Sequence, residues 1–102
     1  MLVYCVNDKA RQEIIGCALD IDNAKRIAEE YAYGEGVFPY GPDDSGESLV
    51  HIDNQSVQVH GWWTTFGMHS PRIWELMLVD TDSTNVFGSS VVICEIAVQE
   101  AN

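Results

Sequence analysis

The sequence predicts a single α+β domain: a mainly antiparallel sheet of about five or six short strands, with one amphipathic helix packed on one face. Three observations carry this. Apolar, partly β-branched runs of strand length recur from one end of the chain to the other. Only one segment, at about residues 21–33, shows the apolar period of a helix. The later strands follow one another without intervening helices, which argues against a doubly wound parallel sheet. The 102 residues suffice for one modest core, so residues 1–102 are read as one domain without repeat or linker.

Leu2 to Asn7 opens the chain as an apolar strand. The polar stretch from Asp8 to Gln12 turns it, and Glu13 to Leu19 returns as the second arm of a hairpin. In the helix, Ala24, Ile27, Ala28 and Tyr31 fall at i, i+3, i+4 and i+7, flanked by Ile21 and Ala32. Asp20 is the expected N-cap, with Leu19 and Ala24 at the staple positions, and Gly34 or Gly36 is the stop. Residues 37–48, VFPYGPDDSGES, carry loop chemistry. Leu49 to Ile52 and Ser56 to His60 read as short strands around an Asp53-Asn54-Gln55 turn, and Trp62 to Phe66 as a further strand. After a break at Gly67 to Arg72, Trp74 to Val79 forms a strand, and Ser90 to Gln99 forms the last one beyond a turn-rich link. The expected core is Leu2, Tyr4, Val6, Ile15, Cys17, Leu19, Ala24, Ile27, Ala28, Tyr31, Leu76, Leu78, Val92, Cys94, Ile96 and Val98. An exposed edge at 90–99 would allow a homodimer.

Sixteen Asp and Glu oppose five Lys and Arg, for a net charge of −11. This excludes a nucleic-acid binder working through a basic surface and an anchor on anionic lipid. The longest apolar run, Met1 to Val6, falls far short of the ~20 residues of a membrane span. No basic stretch and long apolar segment open the sequence as a secretion signal would, so none is expected. The three cysteines include no CxxC, so a cytoplasmic, reducing location is expected, with Cys5, Cys17 and Cys94 as free residues in strands.

The acids are unevenly placed. No base occurs between Arg26 and Arg72, while Glu29, Glu30, Glu35, Asp43, Asp44, Glu47 and Asp53 fall between them. Solubility alone accounts for such an excess in many small domains. The functional alternative is a face that docks on a basic surface built to hold phosphates, where carboxylates compete for the same Lys and Arg. Glu29 and Glu30 lie four residues after Lys25 and Arg26, so both are expected to be partly paired. Glu35, Asp43, Asp44 and Glu47 have no local base and are the preferred partner-binding acids. Trp62 and Trp63 are adjacent and so point to opposite faces of a strand; with Tyr33 they are the aromatic partner-binding candidates.

Catalysis and metal binding find no support. Of His51, His60 and His69, the first two would be diagonal neighbours if their segments paired, but a zinc site takes three or four protein ligands and their nine-residue spacing matches no metal motif. There is no calcium loop, GxGxxG, or phosphate-binding glycine loop, and no local Cys–His pairing. No catalytic residue, metal or cofactor is expected.

The opening VYCVND strand, the IDNAKRIAEEYAYGEG helix that follows a hairpin, and the ICEIAVQE strand resemble in layout the small acidic phage-encoded proteins that inhibit bacterial defence, the anti-CRISPR class in particular. That resemblance implies a protein that occludes the nucleic-acid channel of a nuclease complex, in some cases by imitating nucleic acid, inside the host-cell cytoplasm. Immunity proteins of bacterial nuclease toxins share the size and acidity. The expected function is therefore a non-enzymatic inhibitor that binds a nuclease, not nucleic acid or membrane. The alternative is a protein that sequesters a small molecule or nucleotide in a pocket built by Trp62, Trp63, Phe66 and the histidines.

Overall fold

The computed structural model describes residues 1–40, 49–52, 56–65 and 71–99. Strands β1 (Leu2–Asp8) and β2 (Glu13–Ala18) form the opening hairpin, with Tyr4 opposite Ala18 and Cys5 opposite Cys17. Asp8 Oδ1 accepts from the backbone amides of Ala10 and Arg11 at 3.1 and 3.3 Å. This side-chain turn reverses the chain, and Gln12 adopts φ 56° before β2 begins.

Helix α1 (Ile21–Glu35) starts where its cap dictates. Asp20 Oδ1 accepts from the amide of Asn23 at 2.8 Å. The helix runs two residues beyond the expected end and stops at Gly36, whose φ is 77° and whose amide donates to the Ala32 carbonyl at 3.0 Å. A Cβ at Gly36 would stand 2.9 Å from the Val50 carbonyl oxygen, so both conformation and space require glycine. Ala24, Ala28 and Ala32 form a thin, fully buried ridge. Small side chains at this spacing let the helix sit close to the sheet, and Gly16 of β2 answers them by receiving Ile27.

The remaining strands are β3 (Pro39–Tyr40), β4 (Val57–Thr65), β5 (Ile73–Asp80) and β6 (Val86–Ala97). The antiparallel order is β2-β1-β6-β5-β4, with β3 beside β6. One sheet and one helix make this an α+β fold. The helix packs on β1, β2 and β6. Val6, Trp74, Leu76, Leu78, Val91 and Ile93 meet the alanine ridge in the core, and Val37 and Ile52 complete it.

Several expectations are corrected. Segment 49–52 forms no strand with 56–60. Val50 instead bridges Val37, and 57–65 is one continuous strand whose pairing is irregular between Val59 and Gly61. The proposed 53–55 turn lies outside the described residues. The last strand begins at Val86 and is central, so 90–99 offers no dimerising edge; among the described residues β2 and β4 are the outer strands.

Its facing is also inverted. Val6 pairs with Ile93 and Asp8 with Val91 on the helix side, while Val92 and Cys94 look the other way, opposite Asn7 and Cys5. The VVIC run is apolar on both parities, so alternation could not choose between them. Leu2, Cys17, Leu19, Ile96 and Val98 are exposed rather than core. Between the pairs Glu75–Val92 and Met77–Gly88, β6 advances four residues while β5 advances two. Ser89 and Ser90 are buried in that irregularity, with the Ser89 hydroxyl accepting from the Val91 amide and the Ser90 hydroxyl from the Phe38 amide, at 3.2 and 3.3 Å.

The cysteines are not three independent thiols. Cys5 and Cys17 are joined by a cross-strand disulfide, leaving Cys94 free. The pairing removes the argument from cysteine usage to a reducing compartment. No helix among the described residues is long and apolar enough to cross a membrane.

Candidate functional site

The most polar cluster lies at the turn of the hairpin. Asp8 is fully buried at the end of β1. Its Oδ2 accepts from Arg11 Nη1 at 2.8 Å and from the Tyr31 hydroxyl at 2.7 Å. Arg11 also donates to the Tyr31 oxygen at 2.7 Å and to the carbonyls of Gly36 and Glu35 at 3.2 and 3.3 Å. Its guanidinium stacks over the Tyr31 and Phe38 rings, 5.7 and 5.1 Å from their centroids. Burial pushes the Asp8 carboxyl up, but the bonds donated by Tyr31 and Arg11 outweigh it and hold the group below its ordinary 3.8. Burial and the bond to Asp8 push the Tyr31 hydroxyl up to about 12. Among the described residues no buried side-chain polar atom lacks a partner. The cluster is therefore a latch tying the hairpin turn to the helix end. Asp8 was not singled out from sequence; the signal was its place at the start of a short polar turn, where Asp bonds the backbone two residues on.

The two tryptophans divide as strand geometry requires. Trp62 is opposite Leu76 on the helix side, packs against the core, and donates from Nε1 to Glu29 Oε1 at 3.4 Å. It is half-buried there, with its ring against the core. Trp63 is opposite Glu75 on the other face and is 62% exposed.

The acids also redistribute. Neither expected helix pair forms: Arg26 donates to Asn23 Oδ1 at 3.1 Å, and Glu29 receives Trp62. The ion pairs among the described residues are Arg11–Asp8 and Arg72–Glu95, both turned toward structure. Arg72 donates to Glu95 Oε2 from Nε at 3.1 Å and from Nη2, and stacks on Trp74. Glu30 and Glu35 are exposed on the helix and form no ion pair among the described residues, and Tyr33 is exposed beside them. Asp43, Asp44 and Glu47 lie outside the described residues. The helix end thus gathers Tyr33 and Glu35, with Glu30 added, whereas Trp63 belongs to the opposite face of the sheet.

That opposite face has no covering layer among the described residues. Ile14, Trp63, Val86 and Ile96 are exposed on it. A shallow cleft of about 410 Å³ at the hairpin end is lined by Asn7, Gln12, Glu13, Ile14, Val92 and Cys94, among others. Of the aromatic pocket expected from sequence, Trp62 and Trp63 point to opposite faces and so do not line one cavity together, and Phe66 and His69 lie outside the described residues. His51 sits by Gly36, and His60 is in β4. Among the described residues no three His, Cys, Asp or Glu side chains converge as a metal site would need.

These features define a small acidic α+β domain with a fully satisfied polar latch and two exposed surfaces, one acidic and one apolar. The chain matches no family model, no curated protein and no solved structure.

Proposed function

We propose that the protein is a non-enzymatic, stoichiometric inhibitor that docks its acidic helix end and the acids Asp43, Asp44 and Glu47 on the basic, nucleic-acid-binding surface of a bacterial defence nuclease. The observation that carries this reading is the use of the bases. Two of the five, Arg11 and Arg72, are spent on internal carboxylates, so the excess of eleven negative charges falls on the remaining surface. Exposed carboxylates without local cations attract a basic channel over a distance and then replace phosphates within it. Tyr33 beside Glu35 adds a ring suited to anchor such an interface.

The test is affinity capture on the immobilised protein from a nuclease-treated bacterial lysate, followed by elution with a DNA or RNA oligonucleotide. The expected eluate is a nucleic-acid-binding nuclease whose cleavage activity is lost when the protein is added back. Eluting a toxin nuclease in its place would assign the immunity role within the same reading. A partner that nucleic acid does not displace, or whose activity is unaffected, would overturn it.

A further inference from the structure

Cys17, Cys5 and Cys94 stand in one row across three neighbouring strands. Cys5 is directly opposite Cys17 of β2 on one side and Cys94 of β6 on the other. Directly opposed residues of antiparallel strands project from the same face, here the one the helix leaves open. Cys5 is buried and bonded to Cys17, which is exposed on the outer strand. Cys94 is a half-buried free thiol that lines the cleft with Asn7, Ile14 and Val92, so solvent reaches it.

We propose that these three cysteines form a thiol–disulfide relay that moves the free thiol from Cys94 to Cys17, where it accepts a low-molecular-weight disulfide such as glutathione disulfide. In the first step the Cys94 thiolate attacks Cys5 Sγ. The Cys5–Cys94 bond forms as the Cys5–Cys17 bond breaks, and the electron pair leaves on Cys17 Sγ, which takes up the proton Cys94 gave up. No oxidant is consumed. Exchange at sulfur needs the attacking, central and leaving sulfurs in line, and a row running across the strands supplies that order. Cys5 and Cys17 stand 4.1 Å apart at Cα, and Cys94 is directly opposite Cys5 on the other side. Directly opposed Cα atoms of antiparallel strands lie ~4.5–5.5 Å apart, a span a disulfide can bridge, so a bond can form on either side of Cys5. In the second step the Cys17 thiolate attacks one sulfur of glutathione disulfide. A mixed disulfide forms at Cys17 and one glutathione thiolate departs. The relay transfers reactivity from a half-buried central strand to an exposed outer one, where a bulky adduct meets less obstruction.

The purified oxidised protein is incubated with glutathione disulfide, quenched in acid and mapped by peptide mass spectrometry. The expected product carries the glutathionyl group on Cys17 together with a Cys5–Cys94 linked peptide. An adduct confined to Cys94 with Cys5–Cys17 intact, or no adduct, would overturn the relay. Two variants sharpen the result, each checked for native circular dichroism. Cys94→Ser should abolish the adduct at Cys17. Cys17→Ser should close a Cys5–Cys94 disulfide on addition of glutathione disulfide, and two persistent free thiols in the folded variant would contradict the proposal. Should Cys17→Ser not fold, the wild-type map decides alone.

Discussion

The Tyr31 hydroxyl donates to Asp8 Oδ2 at 2.7 Å, joining the last turns of the helix to the end of the first strand across 23 residues of sequence. Arg11 Nη1 completes the triangle by donating to both oxygens. Removing the phenolic oxygen leaves the carboxylate with one donor fewer in a buried setting. Hydrogen bonds to charged groups are worth ~1.5–3 kcal/mol. Tyr31→Phe should therefore lower unfolding stability in urea by about that amount without changing the fold seen by circular dichroism.

The same latch sets the pH response. Asp8 in the folded protein titrates below its unfolded value of 3.8. Its contribution is complete above the unfolded value and disappears as pH falls through the lower folded one. The Asp20 cap, lowered by the bonds from Asn23, acts in the same direction. Tyr31 works at the other limit: its hydroxyl is raised from 10.0 to about 12, so its share is present below 10.0 and is lost as pH rises through about 12. Urea midpoints should fall on acidification from ~pH 5 to ~pH 3, and Asp8→Asn should flatten that fall. An unchanged acid limb in Asp8→Asn would show that other carboxylates govern it.

Two neighbouring glycines should respond with opposite signs. Gly36 holds φ 77° against the Val50 carbonyl, whereas a Cβ at Gly34 meets no atom within 4 Å. Gly34→Ala should stabilise the helix by ~0.5–1 kcal/mol. Gly36→Ala should destabilise by more than ~1 kcal/mol. Thermal melts of the two variants check both.

The tryptophans offer a similar contrast. Trp74 is buried in edge-to-face contact with Tyr4, centroids 5.6 Å apart, and Trp74→Ala should cost ~3–5 kcal/mol. Trp63 is exposed, and Trp63→Ala should stay within ~0.5 kcal/mol of wild type. Denaturant titration followed by circular dichroism separates them.

How much of this was legible in the sequence follows from where local chemistry was decisive. The hairpin, the Asp20 cap and the helix stripe rest on short-range rules, and all three stand within a residue or two. The facing of β6 did not, because Val91 to Cys94 is apolar on both sides and Glu95, on the same parity as Val91 and Ile93, is held by Arg72. The Gly88-Ser89-Ser90 run was the readable sign of an irregular strand. The disulfide depended on register between strands, which spacing along the chain does not reveal. Of the candidate site, the division of Trp62 from Trp63 was legible from strand alternation. The failure of the Lys25–Glu29 and Arg26–Glu30 pairs was not, because Asn23 and Trp62 compete for the same groups only once the chain is folded.

The central claim is that surface carboxylates drive recognition, and the association rate with the captured nuclease tests it most directly. Glu30→Lys with Glu35→Lys, and separately Asp43→Lys, Asp44→Lys and Glu47→Lys together, should each slow association ~10-fold or more. Wild-type association should slow as salt is raised, since charges are screened over ~8 Å at physiological ionic strength. Lys25→Glu should not slow it. Wild-type association rates in both reversal sets, with no salt dependence, would contradict the account and leave the acids as solvated surface.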